Sequence, residues 1–504
     1  MDQSATPLID ALKHCATRDN AAFYTPGHKR GQGLSPKHRD LFGTQVFRTD
    51  LPELPELDNL FAPEGVILQA QALAAEAFGA DRTWFLVNGS TCGIEAAILA
   101  TCGPGDQLIL PRNVHSSAIS GLILSGATPI YVEPDYSEAW DMPIGVSPQT
   151  IERAIAHHPT AKAVLLVSPT YQGICSDIEA IAHITQAHNI PLIIDEAHGP
   201  HFAFHPDLPT SALTAGADLV IQSAHKVLSA FTQSALLHVQ GDRINRHRLT
   251  QSLQLTQSTS PSYLLLGSLD AARHQMVTNG LTLMEKTIEL ADQAFREISR
   301  LPGLKVLQPR RDLDELVGDR TRLTVDVSPL GLTGFAADEI LHRKFNVTAE
   351  LPTLKHLTFI ISLGNTSADI DNLIYGFEQL CELHPPKLQE VKNQYTRGLS
   401  VAEVQTHRAH LQSGFGYAQP SVTPRQAFFS PKLSLPLTQA PGHISTETIC
   451  PYPPGIPVLL PGELITEGAI AHLQTLQAAG AILTGCQDPQ LKTILVVDPS
   501  ALTP

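Results

Sequence analysis

The sequence has few cysteines, and their spacing is not that of a disulfide framework or a structural zinc site. Seven cysteines occur in 504 residues, at positions 15, 92, 102, 175, 381, 450 and 486. Their number is odd and no CxxC pair occurs, which favours reduced thiols over a disulfide framework or a structural zinc site. The HExxH spacing of zinc enzymes is also absent, so we expect no metal site.

Long apolar runs are lacking as well, and the first residues do not have the pattern of a secretion leader. No stretch approaches the length of a membrane span, and the start MDQSATPLIDALKH has neither a basic region nor an apolar one. The formal net charge of −15 disfavours nucleic acid and anionic membranes as partners, and mildly favours cationic substrates. We therefore expect a cytoplasmic protein with no membrane partner.

The sequence does contain a series of short apolar runs, separated by segments with helical periodicity. Alternation of this kind predicts an α/β fold, with a mostly parallel sheet of roughly seven strands and helices on both faces. The runs are WFLV (84–87), QLIL (107–110), PIYV (129–132), AVLLV (163–167), PLIID (191–195), LVIQS (219–223) and ALLHV (235–239).

The length predicts two or three domains, and changes of texture along the chain suggest where they divide. A long amphipathic pattern begins near residue 281, and the segments after it indicate smaller α+β domains. A polar, proline-bearing stretch beginning HPPKLQEVKNQYTRG is typical of a linker. We expect an amino-terminal arm at 1–50, a large α/β domain at 51–290, a small α+β domain at 291–385, and a linker with a carboxy-terminal domain at 386–504.

Ligands of such sheets bind beyond the carboxyl ends of the strands, so polar residues there are candidates for a site. After WFLV, Gly89, Ser90 and Thr91 open a helix and offer N–H groups and hydroxyls to a phosphate. The same residues would also make an ordinary helix cap. His115 follows QLIL, although a lone histidine is more often a surface or satisfied core residue.

Two further strand ends carry ionisable residues. PLIID ends in Asp195 with His198 and His201 following, and LVIQ leads into Lys226. Burying an unpaired carboxylate is costly, so Asp195 either has a partner or caps the next turn. Lysine is rarely fully buried unless it is paired or functional, and the same choice applies to Lys226. Together with the phosphate site these residues match pyridoxal 5′-phosphate, which needs a carboxylate for its ring nitrogen and a lysine for its aldehyde.

Motifs along the whole chain make the resemblance specific. The sequence resembles the Orn/Lys/Arg decarboxylase family of fold-type I pyridoxal-phosphate enzymes, and most of all its shorter, Bacillus-type biosynthetic arginine decarboxylases. The motifs are TPGHKRG (25–31), VNGSTCG (87–93), PRNVHSS (111–117), SPTYQG (168–173), DEAHGPH (195–201), SAHKVLSAFTQ (223–233), STSPSYLLLGSLD (258–270) and YPPGIPVLLPGE (452–463).

The resemblance implies a role for each strand-end residue. Lys226 would bind the cofactor covalently, Asp195 would hold the ring nitrogen, and His198 would act on the substrate side or transfer a proton. The remaining cofactor residues would be a ring-stacking histidine, a small residue beneath the ring, and the residues around the phosphate, one of them from a neighbouring subunit. In that order they are His115, Ala197, then Gly89, Ser90, Thr91, Ser223 and His225, and the cross-subunit Ser258.

The resemblance also implies a reaction, the α-decarboxylation of L-arginine to agmatine and CO₂ in polyamine biosynthesis. Lysine or ornithine is the alternative substrate. An aminotransferase is a further alternative, with Arg322 or Arg343 as the substrate-carboxylate ligand. We expect a homodimer or higher homo-oligomer with the site at the subunit interface.

The distal group of a basic substrate needs an acidic partner, and several residues are candidates. We favour Glu463, because it follows PPGIPVLLPG in a motif that resembles the family's substrate-side segment. Any one of the acids could instead be a solvated surface residue. The substrate-side candidates are His28, Asp50, Glu350 and Glu463, with Glu53 as a further acid and Lys29 as a residue that closes over the site or anchors the amino-terminal arm.

Overall fold

The structure is a computed structural model that describes residues 1–313, 316–385, 420–452 and 455–501. Most of the predicted linker, from residue 386 to 419, lies outside the described residues. So do Pro453 and Pro454 of the YPPGIP motif.

Helices make up much of the described chain. None of them, within these described ranges, combines the length and the apolar character that crossing a membrane requires. They are α1 (Pro7–Thr17), α2 (Pro36–Phe42), α3 (Gln45–Thr49), α4 (Val66–Phe78), α5 (Gly89–Thr101), α6 (Ser116–Ser125), α7 (Pro148–His157), α8 (Ile178–Ala187), α9 (Ala224–Val227), α10 (Arg246–Thr256), α11 (Tyr263–Ile298), α12 (Pro309–Asp312), α13 (Gly334–Phe345), α14 (Ser367–Leu383), α15 (Pro424–Phe429) and α16 (Glu467–Ala478).

The strands follow the apolar runs of the sequence. They are β1 (Arg82–Leu86), β2 (Gln107–Pro111), β3 (Thr128–Val132), β4 (Asp135–Ser137), β5 (Met142–Gly145), β6 (Ala163–Val167), β7 (Leu192–Asp195), β8 (Leu219–Gln222), β9 (Ala235–Val239), β10 (Lys305–Val306), β11 (Arg322–Asp326), β12 (Leu351–Pro352), β13 (His356–Ile360), β14 (Lys432–Pro436), β15 (Cys450–Tyr452), β16 (Ile482–Thr484) and β17 (Thr493–Val497).

Seven strands form one sheet, in the order β1-β9-β8-β7-β6-β2-β3. All seven predicted strands belong to it, and β6 and β9 have the bounds that the sequence predicts. The strands are buried nearly throughout, as continuous apolar runs require of a sheet covered on both faces. β9 runs antiparallel to β1 and β8, whereas the pairs β2–β3, β2–β6 and β7–β8 are parallel. The predicted α/β fold with a mostly parallel seven-stranded sheet is confirmed.

The chain divides into two compact units that do not follow the sequence order. The first consists of residues 1–101 and 191–285, and the second of residues 102–190 and 286–504. The first contains β1, β9, β8 and β7, and the second contains β6, β2 and β3. The predicted domain boundaries at residues 50, 290 and 385 stay predictions.

The second unit also contains the smaller α+β parts that the sequence predicts. A four-stranded antiparallel sheet, β10-β11-β13-β12, shares a core with α13 and α14. A capping box between Thr366 and Asp369 begins α14. Two-stranded ladders β14–β17 and β15–β16 surround a separate core with α16.

Candidate active site

The turn between β1 and α5 has the form of an anion site. Gly89 opens the helix with φ +77°, a left-handed conformation that glycine adopts without strain. Among the described residues, no heavy atom lies within 4 Å of the position that a Cβ atom would take there. The N–H groups of a first helical turn, here those of Ser90 and Thr91, have no partner within the helix and carry the positive end of its dipole.

A second hydroxyl comes to this turn from the end of β8. The fully buried Ser223 donates a hydrogen bond from Oγ to Oγ of Ser90 at 2.9 Å. Ser223 directly follows β8, so the strand brings its hydroxyl to the start of α5. Two hydroxyls and a helix amino terminus therefore lie together, which is the set of donors that a phosphate monoester binds.

Lys226 lies in the short helix α9, three residues beyond Ser223. Its side chain is half-buried, and Nζ lies 2.9 Å from Nε2 of the buried His198. His198 is in the turn after β7, so two neighbouring parallel strands deliver the two nitrogen atoms to one point. The structure thus brings two of the three predicted catalytic residues into direct contact.

Asp195, the third, is the last residue of β7 and is 7% exposed. Its Oδ1 accepts a hydrogen bond from the backbone N–H of Ala197 at 3.2 Å. The turn that follows must be tight, because a Cβ atom at Gly199 would lie 2.7 Å from Cγ of Glu196. This glycine allows the chain to fold back and carry His198 to Lys226.

Glu196 is a residue that the sequence analysis missed. It is 2% exposed, and its carboxylate accepts hydrogen bonds from Nε2 of Gln222 at 2.6 Å and from the N–H of Ala212 at 2.7 Å. Burial raises the pKa of Glu196 to about 8. The adjacent acids Asp195 and Glu196 are the signal in the sequence that indicates this residue. Side chains alternate along an extended chain, so only one of the two can face the site.

The contacts of Glu196 continue across the first unit. Oε1 of Gln222 lies 3.1 Å from Nε2 of His238, and Nδ1 of His238 lies 2.7 Å from Oγ1 of Thr83. Burial lowers the pKa of His238 to about 3, so this imidazole is neutral and one tautomer satisfies both contacts. The chain of side chains joins β1, β9 and β8 to the residue that follows Asp195.

His225 and Ser258, two further predicted cofactor residues, also lie in the first unit. Nδ1 of His225 lies 3.0 Å from the carbonyl oxygen of Ser234, and burial is the main cause that lowers the pKa of His225. Ser258 is exposed, and its N–H donates to Oδ1 of Asn88 at 3.3 Å, next to the turn at Gly89. Its predicted contact with a neighbouring subunit stays a prediction.

His115 lies in the second unit, where it caps α6. Its Nδ1 accepts a hydrogen bond from the N–H of Ser117 at 3.2 Å. The neighbouring Ser116 donates its N–H to the carbonyl oxygen of Gly455, so Gly455 is held beside this histidine. Its predicted role in stacking on a ring stays a prediction.

Glu463, the favoured partner for the substrate's distal group, has a buried partner in the second unit. Nε and Nη2 of Arg112 donate to its two carboxylate oxygens at 2.7 and 2.8 Å. Arg112 also donates to the carbonyl oxygens of Pro457 and Val458. Arg112 is 2% exposed and Glu463 is 8% exposed. This bidentate ion pair fixes the carboxy-terminal motif to the end of β2.

Comparison with known proteins places this arrangement in a family. The model of the Orn/Lys/Arg decarboxylase major domain matches residues 6–321, and the model of its C-terminal domain matches residues 415–488. The arginine decarboxylase of Bacillus subtilis (strain 168) is 36% identical over 504 residues, which cover 99% of this chain and 99% of the relative. The chain belongs to the Orn/Lys/Arg decarboxylase family. The predicted family and the prediction of a decarboxylase enzyme are thereby confirmed.

More distant members of the family share the fold. The lysine decarboxylase LdcA of Pseudomonas aeruginosa is 26% identical over 568 residues, covering 94% of this chain and 76% of that protein. The crystal structure of the Francisella novicida lysine decarboxylase LdcF superposes with a TM-score of 0.84 at 24% identity, over 98% of this chain and 81% of that one. The structural likeness supports the fold described above.

The other substrate-side candidates of this decarboxylase each have contacts of their own. His28 and Asp50 pair with each other, with 3.1 Å between Nε2 and Oδ2. Glu350 is exposed and its N–H donates to the carbonyl oxygen of Thr358. Burial raises the pKa of Glu53, and Nζ of Lys29 donates to the carbonyl oxygen of Tyr24.

The two arginines considered for an aminotransferase have local partners. Arg322 is buried, and its Nη1 lies 3.8 Å from Oδ2 of Asp319. Arg343 is exposed and pairs with Glu339 one helical turn away. Both contacts are typical of structural arginines.

Proposed function

We propose that this chain is a pyridoxal-phosphate-dependent decarboxylase that converts L-arginine to agmatine and CO₂, a step of polyamine biosynthesis. The observation that carries the proposal is the 2.9 Å contact between Nζ of Lys226 and Nε2 of His198. His198 lies three residues after Asp195, the last residue of β7. The substrate assignment is supported by curated relatives named arginine decarboxylase, which are 35 to 36% identical over 92 to 99% of this chain.

The residues present fit pyridoxal phosphate. The open space around the Cβ position of Gly89 and the hydroxyls of Ser90 and Ser223 suit a phosphate monoester. In one unit, the carboxylate of Asp195 ends β7, and Lys226 lies in α9, just after β8. When bound, the cofactor supplies an electron sink for the pair of electrons that the departing carboxylate leaves behind.

Lys226 and His198 have linked tasks in the proposed reaction. The Nζ of Lys226 acts as a nucleophile only when neutral, and Nε2 of His198 at 2.9 Å can take its proton. The same two nitrogen atoms can afterwards return a proton to the substrate carbon. The burial of His198 limits exchange of that proton with solvent.

Asp195 and Ala197 are proposed to hold the ring. A carboxylate that is only 7% exposed stabilises a protonated ring nitrogen strongly, because little water screens it. The N–H of Ala197 fixes one oxygen of that carboxylate. The methyl side chain of Ala197 leaves room for a flat ring.

Three acids are candidates for the partner of the substrate's distal group. Asp50 is partly exposed and already holds an imidazole, so a guanidinium could take the place of His28. Glu463 would have to leave Arg112 to serve the same purpose. We therefore rank Asp50 above Glu463, with Glu350 as the exposed third candidate.

We further propose a cytoplasmic homodimer or higher homo-oligomer, with Ser258 and His225 as phosphate ligands and His115 stacked on the ring. The exposure of Ser258 in the single chain is consistent with a role at a subunit interface. The net charge of −15 supports a small basic substrate rather than nucleic acid.

Product analysis tests the proposed reaction. The purified chain is loaded with pyridoxal phosphate and supplied with arginine, lysine or ornithine, and CO₂ and the amine products are measured. Agmatine with an equal amount of CO₂ is the expected result. Cadaverine or putrescine as the main product would reassign the substrate, and a keto acid without CO₂ would identify an aminotransferase.

A further inference from the structure

Val87, between β1 and the phosphate turn, is held by side chains from two other segments. The pairing of β1 with β9 ends at Leu86, so Val87 forms no hydrogen bonds within this ladder. The N–H of Val87 donates to Oε1 of Gln257 at 2.9 Å, and Nε2 of Gln233 donates to its carbonyl oxygen at 2.7 Å. Val87 is 3% exposed, and two glutamine side chains supply the hydrogen-bond partners that a neighbouring strand would otherwise give its backbone.

The same two segments also hold the next two residues of the turn. The carbonyl oxygen of Gln233 accepts the N–H of Gly89 at 2.9 Å. Ser258, next to Gln257, donates its N–H to Oδ1 of Asn88 at 3.3 Å. Gln233 has φ +84°, a left-handed conformation that is uncommon for a residue other than glycine, and such conformations persist where the surroundings impose them.

These contacts connect the phosphate turn to the lysine segment. Gln233 lies seven residues after Lys226 in SAHKVLSAFTQ, and Gln257 precedes the proposed phosphate ligand Ser258. The direction in which the N–H groups of Ser90 and Thr91 point depends on where the backbone of Val87 lies. A shift of that backbone would move these donors relative to Lys226.

We propose that Gln233 and Gln257 are positioning residues, which set the phosphate-binding turn at the correct distance from Lys226. The inference rests on the proposed function, because it concerns the phosphate of pyridoxal phosphate. Neither glutamine needs to touch the cofactor. Their effect passes through the backbone of Val87 and Gly89.

A positioning role differs measurably from a merely stabilising one. Pyridoxal has the same ring and aldehyde as pyridoxal phosphate but lacks the phosphate group. Loss of positioning weakens the binding of pyridoxal phosphate and leaves that of pyridoxal unchanged. A general loss of fold weakens both.

The test uses Gln257→Met and Gln233→Met in the full chain, since methionine keeps the length of the side chain and removes its amide. The dissociation constants of pyridoxal phosphate and of pyridoxal are measured by absorbance titration. We expect a loss of about tenfold in pyridoxal-phosphate affinity for Gln257→Met, because a buried N–H is left unpaired. We expect about threefold for the more exposed Gln233, and no change in pyridoxal affinity.

Gln240→Met is the matched control. Nε2 of Gln240 donates to the carbonyl oxygens of Leu213 and Ala217 at 2.7 and 2.6 Å, beyond the opposite end of β9. The control should lower the melting temperature and leave both dissociation constants unchanged. Equal weakening of the two ligands in the Gln233 and Gln257 variants, or unchanged affinity for pyridoxal phosphate, would overturn the inference. A wild-type chain that binds no pyridoxal phosphate would instead refute the proposed function.

Discussion

Nζ of Lys226 and Nε2 of His198 lie 2.9 Å apart, although 28 residues separate them in the chain. Two parallel strands and the turn at Gly199 produce this contact. A lysine and a histidine at hydrogen-bond distance can pass a proton from one nitrogen atom to the other. The pair therefore provides a nucleophile and its base in one place.

Replacing Lys226 tests the nucleophile. Lys226→Ala should remove the visible absorbance of lysine-bound cofactor and abolish CO₂ release from arginine, since alanine has no amine to bind the aldehyde. Absorbance spectra and a CO₂ assay on the purified variant measure both effects. Activity at the wild-type level would exclude Lys226 as the cofactor lysine.

Replacing His198 tests the base. His198→Ala should lower kcat by about 10²- to 10⁴-fold, the range that a positioned proton-transfer group contributes, while the cofactor still binds. His205→Ala is the matched control, because its Nδ1 accepts the N–H of Asp207 in the loop that follows. A similar loss of kcat in both variants would indicate a loop disturbance rather than proton transfer.

Replacing Asp195 separates charge from shape. Asp195→Asn keeps an oxygen that can accept the N–H of Ala197, but loses the negative charge. We expect kcat to fall by about 10²- to 10³-fold, as on removal of one electrostatic stabiliser, with cofactor binding largely kept. Steady-state kinetics beside a cofactor titration gives both values, and an unchanged kcat would remove the role of Asp195.

Much of this site could be predicted from the sequence, because strand ends are visible as the ends of apolar runs. Asp195 ends such a run, and Lys226 and Ser90 each lie three residues after the end of one. Glu196 and Gln222 were missed because their contact depends on which strands are neighbours, and the sequence does not order strands. Arg112 and Glu463 are 351 residues apart, so the periodicity of neither segment indicates their pairing.

The buried carboxyl of Glu196 predicts a pH dependence of stability. Burial raises the pKa of Glu196 from 4.5 to about 8 in the folded chain, so the folded state favours the neutral acid. Its contribution to stability is complete below about pH 4.5 and is lost as the pH rises towards about 8. Glutamine at this position cannot ionise, so Glu196→Gln should gain at least about 1 kcal/mol relative to wild type between these limits.

Urea unfolding of both proteins at about pH 5 and about pH 9 measures this difference. Glu179→Gln, at an exposed position of α8, is the control and should show no such trend. A difference between Glu196→Gln and wild type that stays constant with pH would mean that Glu196 is ionised throughout.

The pair of Arg112 with Glu463 permits a test of the carboxy-terminal motif. Removing one partner of a buried ion pair leaves an unpaired charge, so Arg112→Met or Glu463→Met alone should cost about 3–5 kcal/mol of unfolding free energy. The double variant should cost less than either single one, because no buried charge remains. Urea unfolding of the four proteins gives the coupling energy.

The KM for arginine, measured on the same four proteins, tests whether Glu463 also binds substrate. If Glu463 serves only Arg112, the double variant regains the wild-type KM and part of the lost stability. If the distal guanidinium binds Glu463, KM stays raised in the double variant, since its carboxylate is missing whether or not Arg112 is present. The two roles of one buried carboxylate are thus separated, and the second result would place Glu463 above Asp50 as the substrate ligand.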